Sequence, residues 1–478
     1  MCTPAGESLL NPQQPEPPAS AFWRDRLLIA TLACLGAALG MYNPALAAGS
    51  LAVLFAGVLI DDHVEWVLLP LLVLIPLDLR IDLGSQPIFL DLAYGIFAIP
   101  LLRRLLNGHR KLNLWPLALS GFIVMAVFTT YNRSEKVSWL FVSGLRLEIV
   151  LIFATAIANY GKAEKIILAA GWSLVPAVGY GIYQMLIGGL GPLYDLFVGG
   201  TETGGSLIPW TGRPFSTFGH PNLFGFYCAI VTAMLMAIVM HSGDRLHRRS
   251  ALALSLLGVA GTLASDSRGS WMGLAAAIAI LAFMGSKRAK YVLAGALLIG
   301  LAMYVLSALN LAGPGRTSSF AEETAAPRIA LWGAALLMFA SHPLTGIGWM
   351  NFAPLLTSVI NWQYGAGIHP HNVYLSLLAE TGLIGFALFL APVFIILRRS
   401  TNRFRSDVAA LAGLLGLTVF LVHGLVDVAL FSPQAMLMVG VALGLASRAM
   451  TSGCDDKPDI GIAFLEKSYI HPEAESMT

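Results

Sequence analysis

Long apolar stretches, broken only by short polar connectors, recur from Leu27 to Met450. A helix needs about 20 predominantly apolar residues to cross a bilayer, and only helices and closed barrels satisfy their backbone N–H and C=O groups in hydrocarbon. The stretches are Leu27–Tyr42, Pro44–Ile60, Val64–Leu77, Pro87–Leu102, Leu114–Tyr131, Trp139–Asn159, Lys165–Ile187, Pro221–Met240, Ala251–Ala264, Trp271–Met284, Tyr291–Leu311, Val373–Leu397, Val408–Val426 and Phe431–Ala446. They make roughly fourteen crossings by span length, or roughly twelve if Pro44 or Pro76 kinks a longer helix. With 56% apolar residues, 12% charged and a mean hydropathy of +0.73, the chain has the composition of an all-α polytopic membrane protein.

Basic residues set the orientation, because Lys and Arg accumulate on the cytoplasmic side. Placing both termini in the cytoplasm puts 21 of the 29 Lys and Arg residues there. The remaining eight are Arg80, Arg133, Lys136, Arg146, Arg213, Arg268, Arg316 and Arg328. The expected organisation is a disordered tail over 1–26, helices over 27–187, a first long periplasmic loop over 188–220 and helices over 221–311. A second long periplasmic loop follows over 312–372, then helices over 373–450 and a polar tail over 451–478. Residues 27–42 read as an uncleaved anchor in an inner membrane. Cys34 and Cys228 fall in apolar stretches and Cys2 and Cys454 in the tails, so no periplasmic disulfide is implied. The net charge of +2 is distributed by topology rather than gathered into a stripe, which argues against a nucleic-acid partner.

Polar signatures concentrate at the expected outer face. The first long loop ends in Arg213-Pro-Phe-Ser-Thr-Phe-Gly-His220-Pro-Asn222 and runs straight into an apolar stretch. Asp266-Ser-Arg268-Gly-Ser-Trp271 sits at the tip of a tight hairpin. In the second loop, the segment from Arg328 through Trp332 reads as a short amphipathic helix, followed by a glycine-built turn over 341–352 and by His369-Pro-His371-Asn372. Walker loops, dinucleotide fingerprints, His-Glu-x-x-His sites, paired CxxC and Gly-x-Ser-x-Gly elbows are all missing from the sequence, which disfavours ATP-driven and zinc chemistry.

In Arg213–Gly225, Asp266–Gly273, Arg328–Phe352 and His371–Gly385 the chain resembles the superfamily of O-antigen ligases and O-antigen polymerases. The spacing from His371-Asn372 to Gly382-Leu-Ile-Gly385 is similar to the pattern in which ligases place their essential histidine. The resemblance covers the second half of the chain; the first half resembles the family only in hydropathy. It implies a GT-C-like glycosyltransferase without nucleotide sugar, cofactor or required metal, embedded among membrane lipids. The implied donor is a glycan on undecaprenyl diphosphate. The implied acceptor is a saccharide hydroxyl, on lipid A-core for a ligase and on another lipid-linked repeat for an O-antigen or exopolysaccharide polymerase.

The chemistry wants these residue types on its own account. A departing diphosphate needs fixed positive charge, and a guanidinium donates bidentately and stays charged, which makes Arg213, Arg268 and Arg328 the candidate donor-binding residues. Headgroups or a carboxylate such as Asp266 are the competing partners. A neutral imidazole suits removal of the acceptor's proton, and His371 is the candidate catalytic base; orienting the acceptor is the other role open to it. His220 and Asn222 begin a helix where free N–H groups favour anions, and they equally suit a plain loop-to-helix turn. Asn372 shares the histidine motif, and Asp427 is placed to reach His371 or to hold an arginine. His369 is a neighbour able to assist His371, but Pro370 is expected to hold the pair extended and so to prevent a shared metal site. Glu380, about two and a half turns beyond His371, reads as a packing or cavity partner. Trp139, Trp210, Trp271, Trp349 and Trp362 read as interface anchors. A multispan solute transporter is the second functional class and a structural subunit of an assembly complex the third; the surface clustering of the motifs fits neither as well.

Overall fold

The structure, a computed structural model, describes residues 52–53, 56–60, 63–77, 80–83, 86–106, 114–131, 137–189, 212–284, 319–362 and 369–451. The expected spans Leu27–Tyr42 and Tyr291–Leu311, most of Pro44–Ile60, both tails and most of the first long loop lie outside them.

In chain order the elements are α1 (Val64–Leu74), β1 (Arg80–Leu83), β2 (Gln86–Phe89), a 3-10 helix (Leu90–Phe97), α2 (Ala98–Leu106), α3 (Leu114–Tyr131) and α4 (Val137–Asn159). There follow α5 (Ala163–Trp172), α6 (Leu174–Ile187), α7 (Pro221–His241), α8 (Arg245–Ala264), α9 (Arg268–Phe283) and α10 (Ser319–Ser341). The chain closes with α11 (Phe352–Val359), α12 (Val373–Ser400), α13 (Val408–His423), a 3-10 turn (Ala429–Phe431) and α14 (Pro433–Thr451). The molecule is an all-α membrane protein, with one short hairpin among the described residues. Three helical runs, Ala163–Ile187, Pro221–His241 and Val373–Ser400, are long and apolar enough to cross a bilayer, and five apolar helices are shorter. Large apolar side chains such as Leu186, Phe283, Phe128 and Phe394 point outward, as they do when the solvent is lipid.

The first correction concerns the expected span Pro87–Leu102. It is broken into β2, the 3-10 helix and α2, and β2 pairs antiparallel with β1 in the register Arg80↔Phe89 and Leu83↔Gln86. Apolar density carries no period, and the Gly84-Ser85 connection with Pro87 beyond it is hairpin chemistry rather than helix chemistry. The second correction concerns the short amphipathic helix expected from Arg328. It is a 23-residue helix that starts at Ser319, because the Ala- and Glu-rich run before Pro327 is itself helix-forming. From Pro327 onward it is apolar on both sides: Leu331, Ala334 and Met338 are buried, while Ile329, Leu336 and Leu337 face outward.

Helix α7 is the central post, apolar all round and buried along most of its length, with α8, α9 and α13 packed against it. His220 caps it by accepting the Asn222 N–H, and Pro221 occupies the first turn, where its missing N–H leaves no bond unmade. Small residues let α14 close on its neighbours: Gly413 of α13 lies on the Ala446 backbone, and Gly444 of α14 on the Ala154 carbonyl of α4.

Helix α12 is broken at Gly382, whose φ of 62° and ψ of −167° are open essentially to glycine alone. The glycine-built turn after α10 fills the break. Leu383 and Ile384 donate to the Pro343 and Leu344 carbonyls, while Ile347 and Gly348 donate to those of Ala379 and Glu380. Backbone groups freed by the kink are thereby satisfied at membrane depth, as they must be where water is scarce. Glu380 is fully inside this joint, accepting the Phe352 N–H, as its reading as a packing partner implies. Trp349 is also in the joint, 3% exposed and edge-on to Phe122 at 5.8 Å, so it is core and not an interface anchor.

Candidate active site

Four non-glycine residues among those described have positive φ: Ser216, Asp266, Met350 and His371. All four lie in the segments that carry the sequence motifs. Backbone strain of this kind persists only where surrounding structure over-determines it, and it clusters at functional sites.

The segment after Arg213 is buried and fully tied. Gln184 of α6 accepts the Phe215 and Ser216 N–H groups and donates to the Ser216 carbonyl. Ser216 Oγ donates to Ala177 O, and Gln434 Nε2 to Thr217 O. A rigid loop end thus delivers Arg213 and His220. Arg213 donates from Nε and Nη2 to the Ser265 carbonyl at 3.0 and 2.9 Å, and from Nη2 to Asp266 O at 3.1 Å and Asn222 Oδ1 at 2.9 Å. It therefore fastens the α8–α9 hairpin to the start of α7.

The chain of bonds continues. Asn222 Nδ2 donates to Asp427 Oδ2 at 2.6 Å, and Asp427 Oδ1 meets His371 Nδ1 at 3.1 Å. Asp427 lies just past the end of α13, not within a helix running to Val426; Val373 N–H donates to Gly424 O, and this bond brings the start of α12 against that end. His371 has φ of 50°, a conformation less costly for His than for most side chains, and Asn372 behind it caps α12 by accepting the Leu375 N–H. Asn372 Nδ2 donates to Leu425 O, so both ends of that amide hold the fold.

The electrostatics set the protonation pattern. Burial works against a charge on Asp427, but the His371 hydrogen bond and the surrounding His423, His371 and His220 outweigh it and hold the carboxyl well below its usual range. Burial above all, then Arg213, His371 and Arg328, lower the His220 pKa to about 4 against the pull of Asp427. Since Nδ1 of His220 accepts the Asn222 N–H, the proton of this neutral ring is on Nε2. A carboxylate on Nδ1 of His371 fixes the complementary tautomer: Nδ1 carries the proton and Nε2 an available lone pair. The His371 side chain is 31% exposed, so the ring is partly open to a ligand.

Arg268 and Arg328 differ from Arg213. Neither makes a hydrogen bond or ion pair with any described residue. Arg268 is exposed and opens α9, where its charge opposes the helix dipole, and the charge of Arg328 reaches both His220 and His423. Sequence reasoning missed His423. It is fully buried against the Phe226 ring at 4.8 Å and against Gly269, and neither ring nitrogen finds a hydrogen-bond partner among the described residues. The signal was an ionisable side chain near the end of an apolar run, one turn before Asp427.

His369 corrects another expectation. Its ring lies 4.5 Å from that of His371, centroid to centroid, in an edge-on arrangement, and burial, chiefly, lowers its pKa to about 4. The chain does not run extended through the pair: it bends at His369 and again at His371, whose left-handed φ of 50° goes with the close approach of the two rings.

A polytopic helical membrane protein with a histidine–aspartate pair, and with two arginines that bond to none of the described residues, is the class that fold and site define. Residues 251–390 match a family model described as O-antigen ligase. The chain is 30% identical over 188 residues to the O-antigen ligase of Pseudomonas aeruginosa, covering 38% of this chain and 43% of that one. It is 25% identical over 213 residues to a putative polysaccharide ligase of Rickettsia felis, covering 41% of this chain and 52% of that one. The chain thus spans about half the length of these relatives. The resemblance carried by the motifs is borne out: residues 251–390 match the O-antigen ligase model, and the relatives that the chain matches carry ligase names. That region holds Arg268, Arg328 and His371; Arg213, Asn222 and Asp427 lie outside it and reach the site through folding.

Proposed function

We propose that this protein is a GT-C-type, metal-independent glycosyltransferase that moves a glycan from undecaprenyl diphosphate to a saccharide hydroxyl on lipid A-core. It works on the periplasmic face of the inner membrane, with both termini cytoplasmic. The observation that carries the reading is the ordered chain Arg213–Asn222–Asp427–His371, which puts a carboxylate on Nδ1 of His371 and leaves Nε2 with a lone pair. In the reaction the acceptor oxygen bonds to the anomeric carbon as the carbon–diphosphate bond breaks. The hydroxyl proton passes to His371 Nε2, and the bonding electrons leave with the diphosphate, which Arg268 and Arg328 hold. Asp427 steadies the imidazolium that results. Ligase is favoured over polymerase because one relative is named an O-antigen ligase and the other a putative polysaccharide ligase.

The test is transfer by the purified chain in liposomes, with undecaprenyl-diphosphate glycan, chelator, and either lipid A-core or a lipid-linked repeat as acceptor. His371→Ala lowers the rate by about 10²–10⁴-fold while the protein remains folded, whereas loss of a structural contact alone leaves the rate nearly unchanged. Asp427→Asn also slows transfer, since it removes the negative charge and turns one of the two oxygens, Oδ2 facing Asn222 or Oδ1 facing His371, into an NH2 donor. Wild-type rates in both variants would overturn the reading, and transfer only to the lipid-linked repeat would replace ligase by polymerase.

A further inference from the structure

We propose that His369, His371 and Asp427 form an inhibitory site for a divalent first-row transition ion, Zn²⁺ above all, whose occupation disables His371. The inhibitory half rests on the reading of His371 as base.

One ligand atom from each of the three residues lies within 4.8 Å of the others. Zinc bonds of about 2.0–2.1 Å in a tetrahedral site set neighbouring ligand atoms roughly 3.3 Å apart. The His371 Nδ1 to Asp427 Oδ1 distance of 3.1 Å already matches one such edge. Closing the other two edges asks the half-buried His369 ring to move by roughly 1.5 Å on that scale, a side-chain rotation that leaves the backbone in place. Two imidazoles and a carboxylate, with water in the fourth position, are a ligand set that zinc accepts. Asp427 is oriented for it by Asn222, as ligating carboxylates characteristically are by an outer hydrogen bond.

Occupation and catalysis exclude each other whichever nitrogen of His371 the ion takes. Through Nε2 it consumes the lone pair that receives the acceptor's proton. Through Nδ1 it displaces the ring proton to Nε2, where the nitrogen becomes a donor and is unable to accept. No redox change is involved, and no proton is lost in the second case. His369 contributes only to the ion and takes no part in the transfer as derived above.

The experiment uses the full chain in detergent micelles, stripped with chelator and titrated with Co²⁺, whose ligand-field absorption reports four-coordination, with Zn²⁺ as competitor. The expected result is one ion per wild-type chain, affinity at least about tenfold weaker in His369→Gln, and Zn²⁺ inhibition of wild-type transfer that chelator reverses. His369→Gln keeps the basal rate and escapes inhibition. Absence of a Co²⁺ spectrum in the wild type, or equal binding in His369→Gln, overturns the site. Binding that leaves transfer at full rate overturns the inhibition. Because the absorption reads binding without any glycan present, failure of the site and failure of the proposed transferase reaction are told apart.

Discussion

Arg213 donates from Nε and Nη2 to two hairpin carbonyls and to Asn222, whereas Arg268 and Arg328 make no such bonds with described residues. The same residue type is therefore bonded in two different ways. Arg268 stands at a helix N-terminus, where a cation is disfavoured by about 0.3–1 kcal/mol unless an anion joins it. Arg268→Lys and Arg328→Lys are expected to raise KM for the lipid diphosphate with little change in melting temperature, since a point ammonium keeps the charge but loses the fork. Arg213→Lys instead lowers the melting temperature, because Lys is unable to bridge Ser265, Asp266 and Asn222 together. Equal thermal shifts in all three variants would remove the distinction.

At the level of elements, the break in helix α12 and the turn inserted into it join α10, which carries Arg328, to α12, whose start follows His371 directly. The join depends on two close approaches: a Cβ at Gly346 would run into the Glu380 backbone, and one at Gly382 into that of Leu344. Gly382 must also adopt a backbone conformation that disfavours every other residue by about 1–3 kcal/mol. Gly382→Ala is accordingly expected to lower the melting temperature of the detergent-purified protein and to reduce transfer. Gly179→Ala on α6, where a Cβ meets open space, changes neither. A Gly382→Ala protein as stable as the Gly179→Ala control would mean that the inserted turn does not hold the kink.

For the whole molecule, the question is which end of the helices faces outward. The proposed orientation, with both termini inside, rests on the 21 basic residues it places on the cytoplasmic side, against eight elsewhere. His371, Arg213 and Arg268 then face the periplasm together, as a lipid-linked donor and an outer-leaflet acceptor require. In a cysteine-free background, Phe320→Cys is expected to react with an impermeant maleimide in intact spheroplasts. Labelling only after the inner membrane is breached would reverse the orientation and remove the proposed acceptor from reach.

Apolar run length by itself located α3 with the bounds the structure has, and α7, α9 and α13 to within a few residues, because a helix in lipid must be apolar over its whole length. It failed at Pro87–Leu102, where apolar content is high but turn chemistry breaks the run, and at α10, whose polar first turns disguised a longer helix. The motif residues were legible because charge and imidazole stand out against hydrocarbon. Their partners were not. Asn222 and Asp427 are 205 positions apart, Arg213 and Ser265 52, and His371 and Asp427 56, and no local pattern encodes which polar atom faces which. The sequence alone thus determined the class of molecule and the residues able to do chemistry. Only the tertiary structure decided that Arg213 holds the site together, that His371 leans on Asp427, and that His369 folds back beside it, since each depends on packing between helices distant in the chain.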